Sequence, residues 1–233
     1  MTPPQIKICG ITDIDTYRHC AEVGISWVGF VHFPASPRHL DLATAGSLAT
    51  QADEMIASDI RPKRVVLTVD ASDPLLEQLT QHVRPDMFQL HGSETPERAQ
   101  LIRQRFGTKI MAVIKVRGAD DLSRISEYEE VCDWLLFDAA PPVHASPASD
   151  DDSALLPGGR GEQFDWRYLQ GCDCPLPWML AGGLTAQNVD EAIRLTNPVG
   201  LDVSSGVERV KGIKDHQLIS QFATAVNLSC SAD

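Results

Sequence analysis

The sequence predicts a closed (β/α)₈ barrel, and three observations lead to that class. Eight short runs rich in Val, Ile, Leu and Phe recur along the chain; they are apolar almost without interruption, as strands buried on both faces are. Helical patterns fill most of the intervals, which implies a parallel sheet with right-handed crossovers. The 233 residues leave about 29 for each of eight units, close to the roughly 30 of a strand–helix unit, and the total is close to the ~250 typical of such barrels. The rival is an open doubly wound sheet, which has fewer strands and a glycine-rich turn after its first one. Here the glycine-rich strand ends come late, after the seventh and eighth runs.

In chain order the predicted strands are 6–11 (IKICGI), 27–33 (WVGFVHF), 64–70 (RVVLTVD), 87–92 (MFQLHG), 109–116 (KIMAVIKV), 134–139 (WLLFDA), 178–184 (WMLAGGL) and 200–206 (GLDVSSG). Helical periodicity is expected over 41–57, 74–83, 96–106, 186–195 and 214–228. Asp73-Pro74, Thr95-Pro96 and Thr185 supply start signals. The stretch from Ala140 to Trp166 is rich in Pro, Ser and Asp and breaks the rhythm. It reads as a long loop after strand six on the catalytic face, a mobile excursion over 141–157 followed by an ordered loop over 158–166. No linker divides the chain, so residues 1–233 are expected to form one barrel domain.

Composition bounds the function. Hydrophobic residues are 43% and charged residues 22%, ordinary globular usage. The formal charge of −12 argues against a general nucleic-acid partner, because nothing would offset phosphate repulsion. No apolar run approaches the ~20 residues that span a membrane. The start, MTPPQIKICG, lacks an export leader, so the protein is expected in the cytoplasm. Six thinly spread cysteines without an export signal argue against a disulfide framework. Cys172 and Cys174 form a C-x-C pair without the further ligands a zinc site needs, and no metal is predicted.

In a parallel barrel, chemistry lies at the C-terminal ends of the strands and in the loops that follow. That rule selects Cys9 after strand one, Arg38 in the loop after strand two, Asp70, His91, Asp138 after strand six, Gly182 and Gly183 after strand seven, and Ser204, Ser205 and Gly206 after strand eight. Glycines let backbone N–H groups approach an anion, and a following helix N-terminus adds a positive dipole end. Two adjacent turns of this kind, after strands seven and eight, are the recurrent phosphate site of the fold. Cys9 reads either as a buried core thiol or as a partly exposed thiolate acting as base or nucleophile. Asp138 reads either as a turn cap or as a general acid whose pKa partial burial raises. Strands one and six lie three apart around a ring of eight, so a base and an acid would oppose each other across the mouth, as a proton-transfer isomerisation requires. Arg38 is a surface charge or a fork for a planar carboxylate. His91 is a structural histidine or a group in the binding site.

The motifs KICGIT, GFVHFPASPR, VVLTVD, FQLHG, LFDA, GGRGEQFDW, MLAGGL with Asn188-Val189, and GLDVSSGVE resemble, in order, those of the phosphoribosylanthranilate isomerase family of tryptophan biosynthesis. The resemblance runs from Lys7 to Glu208. It implies Cys9 as general base, Asp138 as general acid, and Arg38 as the ligand of the anthranilate carboxylate. It also implies Gly182, Gly183, Ser205 and Gly206 as the phosphate cradle; His91, selected by its strand-end position alone, is a lesser candidate for binding the substrate. The implied substrate is a small phosphosugar-anthranilate, with no cofactor, no metal, no nucleic acid and no membrane, and with the oligomeric state left open. Two departures stand out: Arg160 where the family has a small hydroxyl residue, and a longer loop through Asp150–Asp152. Another phosphosugar isomerase or epimerase, or a non-catalytic phosphate-ligand sensor, are the alternatives that a turnover assay separates.

Overall fold

A computed structural model describes residues 3–140 and 164–230. Eight parallel strands hydrogen-bond in chain order and close on themselves: β1 (Gln5–Cys9), β2 (Trp27–His32), β3 (Lys63–Thr68), β4 (Met87–Leu90), β5 (Lys109–Val116), β6 (Trp134–Ala139), β7 (Trp178–Leu180) and β8 (Gly200–Val203). Closure is made by β1 against β8, where Lys7 stands opposite Asp202. Helices α1 (Ile14–Glu22), α2 (Leu42–Met55), α3 (Asp73–Val83), α4 (Pro96–Phe106), α5 (Ile125–Tyr128), α6 (Val189–Thr196) and α7 (His216–Ser229) surround them. The expected barrel is therefore the fold. Most of the segment expected to form the long loop after strand six, including Arg160, lies outside the described residues.

Alternation along each strand divides the core in two. Outward-facing residues such as Ile8, Val28, Phe30, Val66, Phe88, Ile110, Leu135 and Leu201 pack under the helices. Inward-facing residues Trp27, Val65, Met87, Met111, Trp134, Leu136 and Met179 fill the lower barrel, with Trp27 and Trp134 edge-to-face at 5.9 Å. Above them, toward the strand C-termini, the interior turns polar: Lys7, Gln89, His91 and Asp138 are all buried.

Several boundaries differ from the sequence reading. β1, β3, β7 and β8 stop before their apolar runs do. The backbone leaves the ladder at residues with positive φ, namely Gly10 (+83°), Asp70 (+48°) and Gly182 (+90°), and at Ser204. α1 lacks an obvious apolar stripe because its buried face is Thr16, Tyr17, Cys20 and Ala21; Asp13 starts it by accepting from Thr16 N at 2.7 Å. α6 begins at Val189 rather than Ala186, since Asn188 is committed to the preceding turn. α7 begins at His216 because Asp215 caps it, accepting from Gln217 N and Leu218 N. A short hairpin, β9 (Glu208–Val210) with β10 (Ile213–Lys214), intervenes after β8. No helix of the described residues is long and apolar enough to cross a membrane, and the six cysteines are free thiols.

Candidate active site

The mouth of the barrel gathers most of the residues selected from the sequence. Cys9 ends β1 with its side chain inward. Gly10 follows at φ +83°, and a Cβ there would stand 2.5 Å from Arg38 Cδ. The glycine thus turns the chain out of the strand and lets the Arg38 stem cross it. Ser204 Oγ donates to the Cys9 carbonyl at 3.0 Å, fastening β8 to the Cys9 backbone. Cys9 is only 6% exposed, and burial pushes its thiol above the ordinary value, with the Lys7 ammonium opposing. This corrects the expectation of a partly exposed thiolate: the resting form is a buried thiol.

Asp138 lies near the end of β6, 7% exposed. Its Oδ1 accepts from the Ala139 N–H at 2.9 Å. Burial, and after it the Asp202 carboxylate, pushes its carboxyl up to about 7. The buried carboxyl expected of a general acid is therefore present. His91 Nε2 stands 3.6 Å from Asp138 Oδ2, and His91 Nδ1 is 2.9 Å from Gln89 Nε2. Burial, with Lys115 and Lys7, pushes His91 down to about 3, so it is a neutral ring against the acid. Asp70 serves the scaffold: its carboxylate accepts from Ser93 N at 2.9 Å and holds the loop after β4.

Arg38 is 5% exposed. Its Nε and Nη2 donate to Glu208 Oε1 and Oε2 at 2.7 and 2.8 Å. A solvated surface charge is therefore excluded, and the Nε–Nη2 edge of the guanidinium grips a protein carboxylate. Lys214 Nζ, buried beside it, donates to Glu208 Oε1 at 2.8 Å and to Ser204 O at 3.0 Å. Glu208 is held below its usual range by Arg38 and Lys214, against the burial that would raise it.

The turns after β7 and β8 come together as expected. Gly182 and Gly183 both have positive φ, +90° and +64°. Asn188 pins the first turn, accepting from Thr185 N at 2.8 Å and donating to Gly183 O at 2.9 Å. A Cβ on Gly206 would meet the Leu184 carbonyl oxygen at 1.9 Å, so the two turns touch backbone to backbone. Ser205 and Gly206 open a 3₁₀ turn (Ser205–Val207), whose first N–H groups have no partner within the turn.

Sequence reasoning missed Lys7, Asp202, Lys115, Glu208 and Lys214. Lys7 and Lys115 are fully and partly buried charges on the inward parity of apolar strands, Lys7 two residues before Cys9 on β1 and Lys115 opposite Asp138 in the β5–β6 register. A charge at an inward position was the available signal. Glu208 and Lys214 carried none, since their hairpin has no strand pattern. Among the described residues, no group of three or more His, Cys, Asp or Glu side chains gathers as a metal site would require.

The family model described as N-(5'phosphoribosyl)anthranilate (PRA) isomerase matches residues 6–225. An N-(5'-phosphoribosyl)anthranilate isomerase of Rhodopseudomonas palustris is 46% identical over 220 residues, 94% of this chain and 96% of that protein. One from Rhodospirillum rubrum is 44% identical over 226 residues, 97% of this chain and 99% of that protein. Among solved structures, phosphoribosyl anthranilate isomerase from Thermotoga maritima superposes with a TM-score of 0.80 at 28% identity, covering 96% of this chain and 98% of that one. A second, of the enzyme in complex with reduced 1-(o-carboxyphenylamino)-1-deoxyribulose 5-phosphate, gives 0.78 at 27% identity, with the same coverage.

Proposed function

The chain belongs to the N-(5'-phosphoribosyl)anthranilate isomerase family, and from that membership we propose how its own residues perform the reaction. The reaction is an Amadori rearrangement of N-(5'-phosphoribosyl)anthranilate to 1-(2-carboxyphenylamino)-1-deoxyribulose 5-phosphate, a step of tryptophan biosynthesis. Asp138 is the general acid. It gives its proton to the ribose ring oxygen, the bond from that oxygen to C1' breaks, and the anthranilate nitrogen forms a Schiff base with C1'. Cys9, as thiolate, takes the proton from C2', leaving an enolamine. Tautomerisation then moves the enol proton to C1' and leaves a ketone at C2'. The proton balance closes when Cys9 and Asp138 re-equilibrate with water. The substrate nitrogen is the electron sink, so the chemistry calls for no cofactor.

The observation that carries this reading is the burial of Asp138 near the end of β6, 7% exposed. A carboxyl at about 7 still holds a proton near neutrality, which an exposed aspartate does not. Each proton transfer contributes roughly 10²–10⁴-fold, and positioning supplies the rest. Gly182, Gly183, Ser205 and Gly206 are the proposed phosphate cradle. Arg38, oriented by Glu208, presents its charge to the anthranilate carboxylate. His91 lies beside the reacting ribose as a neutral group against the acid.

The test is turnover. Substrate and product are isomers of equal mass, so chromatography rather than mass separates them. The chain should convert one to the other and restore growth without tryptophan to a strain lacking this isomerase. Cys9→Ala and Asp138→Asn should each lower kcat by at least about 10²-fold while folding normally. Near-normal turnover by either folded variant removes that residue from the mechanism.

A further inference from the structure

Two charges in the mouth, the buried Lys7 and the partly buried Asp202, have no part in the roles assigned above. Lys7 and Cys9 are two residues apart on β1, so both side chains enter the barrel. Lys7 is completely buried, and its ammonium donates to Asp202 Oδ1 at 2.8 Å. The next strand makes room for them. A Cβ on Gly29, the register partner of Cys9, would stand 3.0 Å from Cys9 Sγ and 3.2 Å from Lys7 Nζ. Sulfur and ammonium therefore share the space that Gly29 leaves. An ammonium has three donors; one goes to Asp202, and the sulfur lies within the ammonium's surroundings.

The pair has a direction. Of the cations that face Cys9, namely Lys7, Lys214 and Arg38, Lys7 acts most strongly on the sulfur and outweighs Asp202 there. Lys214 and Arg38 are already matched by Glu208. Around Asp138 the charged groups are Asp202, Lys115 and Lys7, beside the neutral His91, and Asp202 acts most strongly of the three. The cation thus dominates at one end and the anion at the other. Fold stability is a poor reason for such a pair, since burying two charges costs several kcal/mol and well-packed neutral residues often serve as well.

We propose that the Lys7–Asp202 ion pair is a positioning device for the reaction, with its ammonium against Cys9 favouring the thiolate and its carboxylate toward Asp138 favouring the protonated acid. The inference rests on Cys9 being the base and Asp138 the acid.

The experiment compares wild type with the Lys7→Met/Asp202→Asn double variant, which leaves no lone charge in the core. The first readout needs no substrate: the rate at which iodoacetamide alkylates Cys9 at pH 8, read by mass spectrometry on the Cys9 peptide. Losing the ammonium leaves less thiolate and should slow alkylation several-fold, although greater intrinsic nucleophilicity returns about half of that loss. Lys7→Arg should restore part of the rate. The second readout is the pH profile of kcat/KM, whose plateau should fall and broaden as the two pKa values move apart. Gly29→Ala, which intrudes between ammonium and sulfur without removing a charge, should slow alkylation too and serves if the double variant does not fold. Cys9 alkylated at the wild-type rate, with an unchanged profile, overturns the proposal and leaves the pair a stitch between β1 and β8. If Cys9→Ala retains turnover, the acid–base assignment fails instead, and the alkylation rate still reports whether Lys7 acts on the sulfur.

Discussion

Replacing Asp138 by Asn should abolish most of the activity and, above neutral pH, make the protein more stable. Asp138 is buried, and its carboxyl titrates at about 7 in the fold against 3.8 unfolded. Between those values the native state holds a proton that the unfolded chain has released, so stability falls as pH rises through that interval. Below pH 3.8 both states are protonated and the group contributes nothing. Above about 7 the native state carries a buried carboxylate and the loss is complete. An interval of about 3 pH units at ~1.4 kcal/mol each sets the upper bound near 4 kcal/mol. Asparagine escapes this loss. Its Oδ1 can accept from Ala139 N as Asp138 does at 2.9 Å, and a neutral amide leaves no buried charge at any pH. The assay is urea unfolding of both proteins from pH 4 to pH 8.5, in substrate-free buffer without phosphate. The variant should be nearly equal to wild type at pH 4 and up to about 4 kcal/mol more stable at pH 8.5. Equal stability at pH 8.5, or a gain that does not shrink toward pH 4, refutes a buried acid titrating near neutrality.

Three further outcomes are expected. The order of the two groups, Asp138 at about 7 and Cys9 pushed above 9.0 by burial, predicts that kcat/KM rises about tenfold per pH unit below 7, stays level above it, and falls only once Cys9 has ionised; a maximum confined below pH 6 contradicts that order. Gly206→Ala drives a Cβ into the Leu184 carbonyl, 1.9 Å away, so the touching turns must separate; KM should rise and competition by inorganic phosphate should weaken, and unchanged competition would move the phosphate site elsewhere. Arg38→Ala should cost on the order of 2–4 kcal/mol in kcat/KM toward the natural substrate and little toward an analogue carrying aniline in place of anthranilate; equal losses toward both mean that Arg38 shapes the loop with Glu208 rather than binding the carboxylate.

The barrel was legible because its strands are buried on both faces, and that burial writes unbroken apolar runs into the sequence. β5 and β6 match their predicted bounds, since nothing in KIMAVIKV or WLLFDA bends the chain early. The runs that overshoot do so where the motif and the strand coincide. In IKICGI and WMLAGGL the apolar pattern continues past the glycine that ends the ladder. α1 escaped notice because its buried face is made of Thr16, Tyr17, Cys20 and Ala21 rather than of large aliphatics. Within the mouth, the strand-end placement of Cys9 and Asp138 could be read from position alone, though their roles could not. Their partners could not, because Glu208 meets Arg38 across 170 residues of sequence and Lys7 meets Asp202 across 195. Only the closing of β1 onto β8 brings that second pair together.

Closure also resolves a difficulty of charge. The chain carries −12, while the substrate brings a phosphate and a carboxylate, so the long-range field of the protein opposes binding. At the mouth the sign reverses. Lys7, Arg38, Lys115 and Lys214 stand there against the carboxylates of Asp202 and Glu208, and Asp138 keeps its proton up to about 7. Screening confines the acidic surface to a range of about 8 Å at physiological salt, whereas the buried cations act through low dielectric over short distances. The same excess suits the proposed chemistry, since the cations oppose the burial that holds Cys9 as a thiol. It works against Asp138, however, because cations would strip the proton that the acid must donate. Asp202 is what separates the two demands. Paired with Lys7 at 2.8 Å, and acting on Asp138 more strongly than Lys115 or Lys7 does, it offsets at the acid the positive charge that the proposed base and the substrate both need.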